Sequence, residues 1–174
     1  MEDRYLFKAK RLDWRKFPEK EQWIIGYYVL GFDVYEQPVH LIFEPTSMFF
    51  SHGETDGWTE IDPSTICQCT GLKDKNGKLI WGNDIVDFLG HKGTVKYECG
   101  CFGIAFKQII DWEEIASYIM PITGCENILY ACENDNFISL WEIYWNFNDE
   151  DDLVNTVEVI GNIFDNPELL ESEG

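Results

Sequence analysis

Tight turns that contain glycine recur in the middle of the chain, and they limit this region to short strands. Asn76-Gly77 separates two apolar runs, and this dipeptide is the strongest short hairpin signal because both residues tolerate positive φ. A second turn, Gly90-His91-Lys92-Gly93, separates Asp84–Leu89 from Thr94–Tyr97. This spacing predicts a mostly β (α+β) fold, with an SH3-like barrel or a curled antiparallel sheet as a module over residues 64–106.

Other parts of the chain show the apolar periodicities that mark strands and helices. Further strands are predicted at Tyr5–Lys10, Trp23–Leu30, Val39–Phe43, Trp58–Asp62, Phe137–Phe147 and Thr156–Ile160. Gly26, inside the second of these, indicates a bulge or a close approach of two backbones. Between Ile109 and Ile119 the apolar residues recur every three or four positions, which predicts an amphipathic helix that ends before Pro121. We expect residues 1–174 to form a single unit.

Acidic residues dominate the chain and are concentrated in its last third. Lys and Arg number 13, Asp and Glu number 32, and the formal net charge is −19. Residues 108–174 contain sixteen of the acids and no Lys or Arg. Such a surface repels phosphates and anionic membranes, which excludes nucleic acid and membranes as direct partners. An aromatic content of 16% excludes a disordered acidic chain. The acids form either a solvated face or a surface that binds a basic partner.

The segment 107–152 combines the predicted helix with dense negative charge, so we assign a partner-binding surface to it. Its candidate partner-binding residues are Asp111, Glu113, Glu114, Asp149, Glu150, Asp151 and Asp152. No catalytic residue is predicted. The chain has neither a Walker pattern nor Gly-x-Gly-x-x-Gly, and some close carboxylate pairs are expected by chance among 32 acids.

Two Cys-x-Cys units, Cys67 with Cys69 and Cys99 with Cys101, are the weak candidates for a metal site. Alternate side chains of a strand share a face, so two such units could bring four thiolates together around zinc. Zinc ligands are usually separated by two to four residues, however, and Cys is also a common buried residue. The chain shows no signal peptide, so we expect a cytoplasmic protein with reduced thiols. We predict no cofactor and a fold that requires neither zinc nor disulfides.

Three stretches resemble the YopX family of small proteins encoded by temperate phages and prophages. The opening pair Arg4–Lys10 and Trp23–Tyr28 looks like the start of the family. Thr70–Lys78, followed by Asp84-Ile85-Val86, looks like its central signature, and Val159–Leu170 looks like its closing motif. Two positions depart from the pattern. The family favours Glu-Gly where this chain has Gly82-Asn83, and Gly-Gln-aromatic where it has Cys67-Gln68-Cys69.

The resemblance implies a mostly β architecture with a barrel-like module, and it brings no established reaction, cofactor or catalytic residue. The leading hypothesis is therefore a non-enzymatic phage-derived protein whose acidic surface binds a basic host or defence protein, as a nucleic-acid mimic, in the cytoplasm of the host bacterial cell. One alternative is a zinc-dependent regulator or enzyme centred on the cysteines. A second alternative is a phage structural or assembly component that forms homo-oligomers through its sheet edges.

Overall fold

The computed structural model describes residues 3–44, 57–98, 100–107, 110, 136–147, 153–154 and 156–171. The chain divides into two compact units, unit 1 over residues 1–69 and unit 2 over residues 70–174. Strand β5, Cys67–Asp74, runs through the boundary, so that its first residues pair within unit 1 and its last residues pair within unit 2. Within the described residues, no helix is both long and apolar enough to cross a membrane.

Unit 1 is an antiparallel sheet around a small apolar core. Its strands are β1 (Phe7–Lys10), β2 (Trp23–Phe32), β3 (Pro38–Phe43), β4 (Trp58–Glu60) and the start of β5, in the order β5-β1-β2-β3-β4. A single turn of helix, α1 (Glu19–Gln22), precedes β2. Ala9, Ile24, Ile42 and Ile61 are buried together on one face of the sheet, as the alternation of side chains along a strand requires.

The buried Lys10 explains part of the basic and aromatic character of the N-terminal segment. Its side chain is 2% exposed, and its ammonium lies 3.9 Å from the centre of the Trp14 ring and 5.5 Å from that of Trp23. The same ammonium donates a hydrogen bond of 3.3 Å to Gln22 Oε1. Ring faces and an amide oxygen thus replace part of the water around this charge. The contact links β1 to the short helical turns that precede β2.

Unit 2 is built on a five-stranded antiparallel sheet with the order β10-β9-β8-β7-β12. These strands are β7 (Asp84–Phe88), β8 (His91–Glu98), β9 (Cys101–Phe106), β10 (Phe137–Ser139) and β12 (Val157–Asn162). The end of β5 pairs with β6 (Leu79–Trp81) and, in parallel, with β11 (Leu153–Val154). The core residues below 2% exposure are Ile80, Val86, Phe88, Val95, Ile104, Ile138, Leu140, Ile143 and Val157.

The mostly β class is confirmed, whereas no closed barrel forms among the described strands. Within that part of the chain, β10 and β12 each pair with a single neighbour, so the five-stranded sheet has two ends. A closed barrel would require its first and last strands to pair. The structure therefore supports antiparallel sheets and not the SH3-like detail of the prediction for residues 64–106. The predicted helix between Ile109 and Ile119 lies outside the described residues except for Ile110.

The predicted strand over Phe137–Phe147 is wrong beyond Ser139, because the chain continues there as helix α2, Leu140–Phe147. The helix begins with the sequence Ser139-x-x-Glu142, which is a capping box. The Ser139 N–H donates to the Glu142 side chain, as this motif requires. Leu140 and Ile143 are buried while Trp141 is exposed, so the burial follows the spacing of a helix. The prediction failed because large apolar residues also occupy every second position from residue 141 to residue 147, which is the alternation expected of a strand.

Candidate functional site

A buried carboxylate, Asp74, joins the central and closing stretches of the chain within unit 2. Asp74 is 0% exposed, and its Oδ1 accepts hydrogen bonds of 2.9 Å from the N–H groups of Asn76 and Lys78. Its Oδ2 accepts a third bond of 2.9 Å, from the N–H of Val159 in β12. The first two bonds form an Asx-type turn at the start of this hairpin. The third was not predicted, since no local pattern indicates a partner 85 residues away.

A surface ion pair reinforces the same junction. The ammonium of Lys75 lies 2.6 Å from Glu158 Oε2, and the N–H of Lys75 donates to the carbonyl of Val157. The hydrogen bond to Glu158 raises the pKa of Lys75 above its ordinary value of 10.5. Both side chains are substantially exposed, so the pair is screened by water and contributes little to stability.

The turns before β7 and after β12 are also held by polar groups with structural roles. Asn83 has a positive φ of 68°, so it adopts the left-handed conformation at the position where the family favours a glycine. The Oδ1 of Asn162 accepts hydrogen bonds from the N–H groups of Phe164 and Asp165. The Trp81 N–H donates to the buried carboxylate of Asp84. These contacts give the polar residues of the central and closing motifs a role in folding. Among these contacts, none leaves a reactive group aimed at a substrate.

The predicted partner-binding residues lie outside the described part of the chain. This holds for Asp111, Glu113, Glu114, Asp149, Glu150, Asp151 and Asp152. Their role therefore stays a prediction. Among the described acids of the last third, Asp165, Glu168 and Glu171 are exposed around the 3-10 turn Pro167–Leu170.

The cysteine candidates are not brought together as a metal site in the described residues. Cys67 and Cys69 are buried thiols, at 1% and 0% exposure, and Cys101 is a half-buried thiol. Cys99 lies outside the described residues. No group of three or more His, Cys, Asp or Glu side chains with the geometry of a metal site occurs in the described part of the chain. The Cys67 thiol contacts the carbonyl of Thr65 at 3.3 Å, which is the environment of a packed side chain.

Glu142 is a titratable group that the sequence analysis did not single out. Burial raises the pKa of this carboxyl above its ordinary value of 4.5, against the opposing effect of the hydrogen bond from the Ser139 N–H. The folded state therefore holds the proton more tightly than the unfolded state does. Consequently the contribution of Glu142 to stability falls as the pH rises from about 4.5 through the raised pKa.

The variant Glu142→Gln is expected to be slightly more stable than the natural protein at pH 7 and equally stable below pH 4. The amide oxygen can still accept the Ser139 hydrogen bond, but the desolvated charge is gone. The gain should be roughly 0.5 kcal/mol or less, because the side chain keeps access to water. Urea unfolding at the two pH values measures it. Glu168→Gln, at an exposed position, is the control, and an equal gain there would contradict the role of burial.

The described residues form two sheets, antiparallel except for the β5–β11 pair, with few helices and with turns held by buried polar groups, which defines a mostly β protein. The chain belongs to the YopX family, because the family model described as YopX protein matches residues 43–171, about three quarters of the sequence. The match includes the central and closing motifs, while the opening motif lies before it. No curated protein matches the chain significantly.

Proposed function

We propose that this protein is a non-enzymatic interaction protein of phage origin that binds a basic host or defence protein through its acidic surface in the cytoplasm of the host cell. One observation carries the proposal, namely that residues 108–174 contain sixteen acids and no Lys or Arg. The resemblance to phage-encoded proteins supports the phage origin, and membership of the YopX family supports that resemblance.

A dense array of carboxylates can occupy a groove of Arg and Lys side chains that normally accepts phosphates. Attraction between opposite charges speeds the encounter with a basic partner, and repulsion between like charges disfavours acidic proteins as partners. The segment has no Lys or Arg of its own, so a neutralising cation has to come from elsewhere in the chain, as Lys75 does for Glu158. The exposed Asp165, Glu168 and Glu171 extend the same sign of charge beyond β12. Such a protein needs no cofactor and no catalytic group.

We expect capture of a basic protein from host lysate at low salt and its release as the salt rises. The Debye length shrinks from about 10 Å at 0.1 M to about 3 Å at 1 M, which screens exposed charges. The amide variant changes Glu113, Glu114, Asp149, Glu150, Asp151 and Asp152. It removes six charges with little change of shape, and it should lose most of the binding. Duplex DNA added to the captured complex should displace the chain, because both would occupy one basic groove.

A matched control separates the proposed surface from the net charge of the whole chain. It changes the same number of exposed acids elsewhere to their amides, namely Asp13, Glu19, Glu21, Glu36, Glu60 and Glu98. This control should bind nearly as well as the natural chain. Equal loss in both variants would show that only net charge matters. Binding that survives both the amide variant and 1 M salt would contradict the proposal.

A further inference from the structure

Strand β2 is hydrogen-bonded to different neighbours along its two halves. The Asp33 N–H donates to the Gln37 carbonyl at the end of the β2–β3 hairpin, and the register from there to Tyr27 is regular. Alternate residues of an antiparallel ladder bond to the same neighbour. Tyr27, Val29 and Gly31 therefore direct their backbone groups to β3. The intervening residues Tyr28, Leu30 and Phe32 direct theirs to the opposite edge.

That opposite edge is occupied by β1 only along the first half of β2. Phe7 pairs with Gly26 and Ala9 with Ile24, and β1 begins at Phe7. Before Phe7 the chain is no longer extended alongside β2, because Asp3–Tyr5 form a 3-10 turn in which the Leu6 N–H donates to the Asp3 carbonyl. Among the described strands none pairs with β2 beyond Gly26 on this side. The open edge thus runs from Tyr28 to Phe32, between the start of β1 and the hairpin turn, with Leu30 at its centre.

The side chains of the open edge are apolar and largely exposed. Leu30 is 50% exposed and Phe32 is 70% exposed, although they lie on the same face as the core residue Ile24. Trp23–Phe32 contains no charged residue and no proline. Soluble proteins usually protect an edge strand with charges, proline or a covering element. An exposed, uncharged edge with large apolar side chains is instead suited to pairing with another strand.

We propose that the open edge of β2, Tyr28–Phe32, pairs antiparallel with the same edge of a second copy of the chain. A two-fold axis at Leu30 places Leu30 opposite Leu30, and Tyr28 opposite Phe32 in both directions. Each copy then fills the gap between the start of β1 and the hairpin turn of the other. The interface is isologous, which is the commonest arrangement in homo-oligomers.

The chemistry of the edge favours a second copy over the basic partner of the proposed function. No like charges face each other, because β2 is uncharged over its whole length. A basic protein would gain no electrostatic attraction at this edge. The acids are concentrated in residues 108–174, so this surface is independent of the proposed function. Pairing through backbone groups and apolar side chains should also persist at 1 M salt, where binding through the acidic segment fails.

Light scattering coupled to size exclusion tests the proposal on the full chain at micromolar concentration. The natural protein should have twice the chain mass of 20.3 kDa, at both low and high salt. Leu30→Lys should give the monomer, because two ammonium groups would stand opposite each other. Leu30→Pro should also give the monomer, since it removes an N–H from the open edge and none from the β2–β3 ladder. Leu12→Lys, at a 54% exposed residue of unit 1 outside β2, should remain dimeric.

Hydrogen exchange supplies an independent measurement of the same edge. The amide protons of Leu30 and Phe32 should exchange slowly in the natural dimer and rapidly in Leu30→Lys. A monomeric natural protein would overturn the proposal, as would a dimer that survives both Leu30 variants. Amides that become protected only when another protein binds would assign the edge to that protein and also overturn it. If Leu30→Pro fails to fold, Leu30→Lys decides, with its melting curve as the check on folding.

Discussion

Replacing Asp74 by alanine is expected to lower the free energy of unfolding by about 3 kcal/mol or more. The change removes a fully buried carboxylate that accepts hydrogen bonds from the N–H groups of Asn76, Lys78 and Val159. A buried N–H that loses its acceptor costs about 1–3 kcal/mol, and the Val159 bond is the most deeply buried of the three. Urea unfolding followed by tryptophan fluorescence and circular dichroism measures the loss.

Asp87→Ala is the matched control for this prediction. Asp87 is also a carboxylate beside a tight turn, near the end of β7, but it accepts a single described hydrogen bond, from the exposed N–H of Gly90. Its replacement should cost about 1 kcal/mol or less. Asp74→Asn should also be strongly destabilised. Both carboxylate oxygens accept hydrogen bonds from backbone N–H groups, so the NH2 group of the amide would replace one acceptor and face another donor. A loss at Asp74→Ala no larger than at Asp87→Ala would show that the contact between the hairpin and β12 is dispensable.

Gly26→Ala is expected to destabilise unit 1 by about 3 kcal/mol, near the upper end of the range for overpacked sites. An added Cβ would contact the carbonyl oxygen of Phe43 and lie 2.8 Å from its carbonyl carbon. It would also lie 2.9 Å from Cγ2 of the buried Ile42. Backbone atoms cannot move aside as a flexible side chain can, so β2 and β3 would have to separate locally. A thermal melt and a urea titration measure the loss.

Gly31→Ala, in the same strand, is the control for Gly26→Ala. A Cβ at Gly31 would meet its nearest atom, Cδ1 of Leu41, at 3.8 Å, which is ordinary van der Waals contact. The substitution should be neutral or slightly stabilising, because it also reduces the entropy of the unfolded chain. Equal losses at the two positions would mean that the loss of stability comes from reduced backbone flexibility and not from steric overlap of the added Cβ.

The sequence predicted the local features of the fold well because those features depend on neighbouring residues. The Asn76-Gly77 turn and the close approach at Gly26 are both present. Each follows from the size or conformational range of one or two side chains. The 3-10 turn at Pro63–Thr65 is also held locally, because the Asp62 side chain accepts from the Ser64 N–H.

Features that depend on distant parts of the chain could not be predicted from single patterns. The turn at Asp74 was recognisable, but the partner of its second oxygen, Val159, is set by the register of β12 on β7. The helix after Ser139 was recognisable in principle from the capping box with Glu142, yet alternating aromatic residues concealed it. The acidic candidates follow from charge alone, which specifies an attraction without specifying a geometry.

The long sequence separation across the β7–β12 pair bears on the order in which the protein is made and folded. Asp84 pairs with Asn162, and the carboxylate of Asp74 cannot accept its third hydrogen bond until Val159 has been synthesised. Domains generally fold during synthesis from the N-terminal end, and contacts between distant residues slow folding. On the ribosome, unit 1 can complete its sheet while the chain is still short. In unit 2, β7–β9 can pair early, but the outer edge of β7 stays unpaired until β12 has been synthesised. During that interval the unpaired strand edge is exposed, and such edges are prone to aggregation.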